Sequence, residues 1–385
     1  MRDSKAIKQG CRLTSEISLR SFREILMNTR EIGFISRLLL ASLIGTGCSG
    51  SSGPSSQDAT AGATPDFSKV VPACFAASLS NPILTRGSLL SGSDWNDPSV
   101  IKVGSQYVMY ASSDNNFDLN IAIYRLVSND GLNWILSPSS PVFQADPNPA
   151  AWDHRAVETP AVVHFNGRYH LFYTGYPLTY ADAYSYKIGH ATSADGISWV
   201  RDASYIIAPN DPYNTTPNLT FNQWISAEPA PVVFQNKLYL YFTAIGANIG
   251  LGTTLQVVGL TTSSDGTTWS APQSVLEPDQ ALYPRTNWIG YSTPMAVVLN
   301  GQMHLFFDVA QDMPWEQLRI HHASSADGIT GWTQDSSAIF SQSDFTWTSA
   351  QIRSPSALLD GTSLFLWFAG DNGATLAIGE SKCAL

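Results

Sequence analysis

Basic residues are scarce in this 385-residue chain, where 21 Lys and Arg stand against 31 Asp and Glu. Eight of the basic and four of the acidic residues lie in positions 1–47, so residues 48–385 carry 13 basic and 27 acidic side chains, a formal charge of −14. Phosphate backbones are held by Lys and Arg, so this balance argues against nucleic acid as a partner. It suits a neutral or cationic small molecule or a glycan, with most of the acids forming a solvated surface. Charge of either sign is thin, at 14% of residues. Glu and Lys are few beside Thr, Ser, Tyr, Val and Trp, a composition that leans to strands. No spacing of His, Cys or Asp makes a transition-metal site, and no cofactor is expected.

Long apolar runs are missing too. Arg37 precedes the short run Leu38 to Ile44, followed by Gly45-Thr46-Gly47-Cys48. A basic flank, a short apolar run and small residues are the layout of an export signal, not of a membrane span. Residues 1–47 read as that signal, with Met27 a tidier start than Met1. Cys48 resembles a bacterial lipoprotein processing site, the alternative being plain secretion with Cys48 free. Residues 48–66 are Ser- and Gly-rich and read as a flexible tether, leaving 67–385 as one domain. Only four cysteines are present. With Cys11 removed and Cys48 lipidated, Cys74 and Cys383 remain, and in an exported protein they pair or stay as two buried thiols. A bridge there would tie the chain's ends together.

What the sequence has in abundance is repetition. Five apolar runs start at Pro98, Pro160, Ala230, Pro294 and Pro355 and carry an apolar or aromatic residue nine positions later. Between the halves sit Gly104, Asn166-Gly167, Asn236-Lys237, Asn300-Gly301 and Asp360-Gly361, strong hairpin signals. A third run follows each, and then in four units an Asp-Gly turn with a trailing Trp: Asp130 with Trp134, Asp195 with Trp199, Asp265 with Trp269 and Asp327 with Trp332. Each unit is a meander of three to four strands, the size of a propeller blade. The fold class is therefore all-β, a five-bladed β-propeller. The fifth unit stops after its third strand (Thr375 to Gly379), and the segment 67–90, with strand-like Val70-Val71 and Ile83-Leu84, is expected to complete that blade. A second Trp precedes each first strand (Trp95, Trp152, Trp224, Trp288 and Trp347) and reads as packing between blades, or in one or two cases as a sugar-stacking platform.

First strands of a propeller line its channel. Here they open with Asn96-Asp97, Glu158-Thr159, Glu228-Pro229, Ser292-Thr293 and Arg353-Ser354. Asp97, Glu228 and Glu158 thus converge as candidate catalytic acids. Two carboxylates across a polar funnel, one protonated and one ionised, are what cleavage of a glycosidic bond requires. A third acid nearby raises the donor's pKa. His190, His321 and His322 fall on third strands and read as surface or packing residues.

Trp95-Asn96-Asp97-Pro98, Glu158-Thr159-Pro160-Ala161-Val162 and Glu228-Pro229-Ala230-Pro231-Val232 resemble the blade openings of the five-bladed propeller glycosidases, glycoside hydrolase family 43 and its relatives, including family 32. The resemblance covers residues 80–380. It implies Asp97 as general base, Glu228 as general acid, inversion at the anomeric carbon, and Arg353 as a substrate contact. Trp95, Asn96, Asp153 and His154 join the substrate-binding candidates. Where family 43 carries an acid before the blade-two proline this chain has Thr159, so Glu158 or Asp153 is expected to tune the acid. Ser99 replaces the Asn of family 32, and no Arg-Asp-Pro occurs in blade two. Some relatives hold a channel Ca²⁺, which nothing in this sequence decides. The expected partner is an oligo- or polysaccharide, of arabinose or xylose type by resemblance. The protein is expected to be a monomer, exported, and in contact with a membrane only through a lipid anchor. A sialidase is disfavoured by the lack of an Arg cluster, and a glycoside phosphorylase has only Arg155, Arg285 and His154 to offer phosphate. A non-catalytic glycan-binding propeller is the alternative from another class.

Overall fold

The computed structural model describes residues 65–70, 72–115, 121–177, 186–210, 220–248, 253–279, 289–311 and 316–385. The expected signal, most of the tether, Cys48, Arg285 and Trp288 lie outside the described residues.

The described residues form five antiparallel meanders. Their first strands are Ser93–Val103, Ala156–Phe165, Ile225–Phe234, Ile289–Leu299 and Gln351–Asp360. Each is followed by two further strands and, in blades one to four, by a short outer one such as Ile135–Leu136 or Val200–Arg201. Among the described residues, a single parallel pair, Gln256 with Gly290, merges the ladders of blades three and four. The first strands touch one another in cyclic order, blade one to two and onward through five and back to one. This is the five-bladed propeller that the repeat predicts.

Closure uses the expected N-terminal segment 67–90, with its strand at Ala76–Ala77 and not at Val70-Val71 or Ile83-Leu84. The outer strand of blade five is Ala76–Ala77, paired with Lys382 and Ser381 of the last strand, Leu376–Ala384. Leu84 makes only an isolated bridge to Ile378. A disulfide joins Cys74 to Cys383 with Cα atoms 5.0 Å apart. Pairing the last strand in this way removes an exposed sheet edge.

The trailing Trp of each Asp-Gly turn is a wedge between blades. Trp134, Trp199, Trp269 and Trp332 stand edge-on to Trp367, Tyr110, Phe172 and Tyr241, each on the second strand of the preceding blade, at interplanar angles of 77–88°. The turns themselves are built alike: Ser128, Ser193, Ser263 and Ser325 accept the glycine amide, and the Asp carboxylates accept two amides each. Those bonds hold the four carboxyls below the usual range. The turn glycines are left-handed, and at Gly196 and Gly328 a Cβ would stand 2.6 Å from the hydroxyls of Tyr110 and Tyr241. Blade five lacks this turn, and Phe75 from the N-terminal segment takes the vacant place, edge-on to Phe306 at 5.8 Å and 81°.

The second Trp set divides. Trp95 is fully buried beside Leu84 and Ile378, between blades five and one. Trp152 and Trp347 instead stack within their own blades, on Tyr173 and Phe368. They lie over paired glycines, where a Cβ at Gly189 or Gly379 would fall 2.7 or 2.6 Å from the indole. The histidines expected at the surface or in packing are all buried. His170 meets His190, which meets Asp202, and His304, His322 and Asp335 repeat the chain in blade four. Burial first, then the neighbouring imidazole, pushes His170 and His304 down to about 4.

Removing the wedge while leaving the disulfide intact separates packing from the covalent tie. Phe75→Ala is expected to lower unfolding free energy by about 3–5 kcal/mol, as for other buried aromatic truncations, read by urea denaturation under oxidising conditions.

Candidate active site

In every blade the ladder between first and second strands skips two residues at one place. These are Asp97-Pro98, Thr159-Pro160, Glu228-Pro229, Thr293-Pro294 and Ser354-Pro355. Blade three is thus in phase at Pro229, one residue before the Ala230 on which the sequence aligns it. The five residues ahead of proline have φ of 51, 50, 56, 42 and 53°, a left-handed conformation that costs an L residue energy. Thr159, Thr293 and Ser354 share it with the acids, so the strain belongs to the architecture. A bulge re-aims its side chain, and these five aim at one pocket. Its lining is the five bulge pairs with Ser99, Ala161 and Met295.

The bulges are stitched blade to blade. Thr159 N–H donates to Ser112 Oγ at 2.9 Å, Glu228 N–H to Thr174 Oγ1 at 2.8 Å, and Thr293 N–H to Thr243 Oγ1 at 3.0 Å. Ser354 N–H reaches Thr293 Oγ1 at 3.1 Å and Asp308 Oδ2 at 3.3 Å, and Ser354 Oγ donates to Asp97 Oδ1 at 2.9 Å, closing the circle on blade one. Asp97 is buried at 8% exposure. Glu228 is half-buried, and its Oε2 accepts from Thr243 Oγ1 at 2.5 Å and Thr293 N–H at 3.0 Å.

Sequence reasoning missed one acid. Asp308, on the second strand of blade four, is fully buried. It accepts from Ser292 Oγ, from Thr293 Oγ1 at 2.5 Å and from the Ser354 amide. Burial pushes its carboxyl up to about 6, against the pull of those three donors and of the Arg353 charge. Glu228 is pushed up to about 7, chiefly by burial and next by the charge of Asp308, with Asp97 adding a smaller push. The signal was present: Asp308 is the acid in the apolar run His304-Leu305-Phe306-Phe307-Asp308-Val309, at the strand position held by Ser112, Thr174 and Thr243.

The other expected residues scatter. Glu158 lies one residue before its bulge, paired in the ladder with Thr174, and is not among the pocket-lining residues. The shifted phase of blade three hid this, because it made Glu158 and Glu228 look equivalent. Asp153 does not reach in either. It is 1% exposed, ion-paired with Arg201 and bonded by Tyr173 Oη at 2.8 Å. Trp95 is walled into the core and cannot stack on a sugar. His154 turns Nδ1 to the Ala151 carbonyl at 3.0 Å. Asn96 precedes Asp97 and Arg353 precedes Ser354, each one residue ahead of its bulge. Arg353 donates to Gln351 at 3.0 Å, while Asn96 Oδ1 and Arg353 Nε are buried and have no hydrogen-bond partner among the described residues. No cluster of three or more metal-ligating side chains occurs among the described residues.

Several solved structures share this architecture. A thermostable family-43 glycoside hydrolase superposes with a TM-score of 0.57 and 15% identity over 75% of this chain and 89% of its own. The endo-arabinase of Bacteroides thetaiotaomicron does so with a TM-score of 0.54 and 17% identity, over 78% and 97%. The fold is that of the propeller glycosidases. No family model matches the sequence. Among curated proteins, the raffinose invertase of Escherichia coli is 34% identical over 95 residues, a stretch spanning 24% of this chain and only 17% of that enzyme.

A carboxyl raised from 4.5 to about 7 costs the folded state stability once it ionises. Below pH 4.5 Glu228 is neutral whether folded or not, so the cost grows from there to above pH 7. Glu228→Gln is therefore expected to stabilise the protein at pH 8 by on the order of 2–3 kcal/mol and to leave it unchanged at pH 4, read as the pH dependence of Tm against wild type.

Proposed function

We propose that this chain is a glycoside hydrolase acting with inversion, Glu228 as general acid and Asp97 as general base. The observation that carries the reading is that two carboxylates share one pocket on equivalent bulges of different blades, Glu228 having a proton to give near neutrality. Glu228 protonates the departing glycosidic oxygen, and Asp97, oriented by Ser354 Oγ, takes the proton of the attacking water. The substrate is an oligo- or polysaccharide. The likeness to an endo-arabinase and the local identity to a raffinose invertase set the test panel: aryl arabinofuranosides and xylosides, arabinan, xylan and raffinose.

Hydrolysis of at least one member is expected. Asp97→Asn and Glu228→Gln should each lower kcat by about 10²–10⁴, with glycan binding retained. The first-formed anomer, followed by proton NMR, should be opposite in configuration to the substrate. A glycan-binding propeller without turnover is the second reading, favoured by Thr159 at the blade-two position where family 43 has its acid. Binding of a panel glycan with no hydrolysis would establish it.

The same reading places the protein outside the cytoplasm, tethered through lipid on Cys48. The layout of residues 37–48 and the Cys74–Cys383 bridge support this, since such bridges persist in oxidising compartments. Expressed with its own N-terminus in a bacterium, Cys48→Ser should leave the membrane fraction that wild type occupies, as followed by immunoblot.

A further inference from the structure

At the blade-two opening the pocket is lined by a neutral Thr159 and not by an acid. Glu158 stands outside the pocket, and Thr159 Oγ1 is engaged with Thr174 Oγ1 at 2.7 Å. Asp308 stands elsewhere in the ring, yet it touches one residue bonded to each acid, Thr293 for Glu228 and Ser354 for Asp97. Its Oδ2 accepts Thr293 Oγ1 at 2.5 Å, and the Thr293 amide donates to Glu228 Oε2 at 3.0 Å. The same oxygen accepts the Ser354 amide at 3.3 Å, and Ser354 Oγ donates to Asp97 Oδ1 at 2.9 Å. Its other oxygen takes Ser292 Oγ. A fully buried carboxylate thus grips the bulges of blades four and five, each of which presents one donor to one acid.

We propose that Asp308 is the positioning residue for both pocket carboxylates, holding Glu228 through Thr293 and Asp97 through Ser354, in the place of an acid at the blade-two opening. The assignment rests on the hydrolase reading for its consequence in turnover, but not for its geometry. A neutral hydrogen-bonding group at 308 could knit the two bulges equally well, as Ser112, Thr174 and Thr243 do at equivalent places in other blades. A charge there does something further: it acts on Glu228 across the Thr293 bridge. The role therefore predicts effects that a purely structural contact would not produce.

The variant is Asp308→Asn, which keeps the shape and an acceptor oxygen and removes the charge. Two readouts are taken on the full protein. In the first, the Glu228 carboxyl is titrated by carbon NMR in protein labelled at Glu, with Glu228→Gln identifying its signal. The midpoint should fall by about one unit or more in Asp308→Asn, in keeping with the loss of a like charge. In the second, the alkaline limb of the kcat/KM profile should move down by the same amount. Activity on aryl glycosides with poor leaving groups should drop at least about tenfold more than on those with good ones, which need little acid assistance. A midpoint that stays put overturns the proposal whatever the protein hydrolyses. A shifted midpoint in a protein that hydrolyses no panel glycan supports the positioning role and overturns only the hydrolase reading. A loss of activity that is equal for all leaving groups, with the alkaline limb unmoved, also overturns it. Should Asp308→Asn not fold, Thr293→Val keeps the amide and cuts the hydroxyl bridge. A downward midpoint shift supports the role, and an unchanged midpoint rejects it.

Discussion

The left-handed residue ahead of proline, repeated five times around the channel, is the constraint from which both closure and site follow. Proline at the next position has no amide to lose where the ladder is broken, and the left-handed turn swings the preceding side chain out of the sheet and into the axis. In blades two to five the freed amide of that residue is then satisfied by a hydroxyl or carboxylate on the second strand of the previous blade. One local distortion therefore does two things at once. It ties each blade to its neighbour, and it delivers one side chain per blade to a common pocket. Which chemistry results depends on what occupies the five sites. Here they hold Asp, Thr, Glu, Thr and Ser.

Two forces work against each other in the pocket. Interblade packing is apolar and repetitive, with an aromatic wedge at each of the five junctions, and it tolerates a dry centre well. Carboxylates do not. Glu228 and Asp308 are each raised toward neutrality because burial disfavours their charge. The cost falls on folding stability and the gain on proton transfer, an exchange that active sites commonly make. The donors around the acids (Thr243, Thr293, Ser292 and Ser354) limit the cost without abolishing the shift.

The N-terminal segment shows how a broken repeat is repaired. Blade five has no Asp-Gly-Trp turn, which would leave Phe306 without its wedge and the last strand without a partner. Residues 74–77 supply a disulfide, an aromatic and a two-residue strand within four positions. Those residues are a short apolar run, Cys-Phe-Ala-Ala, without strand alternation, so the segment is legible as the closing piece but its strand is not. Val70 and Leu84, which looked more like strand residues, pack in the core without forming the ladder.

The amino-acid order determined by itself the number of blades, the hairpins, the Asp-Gly turns, and Asp97 and Glu228 as the acids facing one funnel. Each of these is a local pattern, carried by turn chemistry and by alternation within a strand, and each recurs often enough to be seen against noise. The tertiary structure decided what depends on which strand lies beside which. It placed blade three in phase at Pro229 and not Ala230, because the bulge and not the run of apolar residues sets the register. It left Glu158 one residue ahead of the blade-two bulge and paired Asp153 with Arg201. It also brought in Asp308, whose sequence neighbours are core residues and whose partners sit 15, 16 and 46 positions away. The strand position of Asp308 repeats that of Ser112, Thr174 and Thr243, but which acids it serves is fixed by the ring and not by the chain.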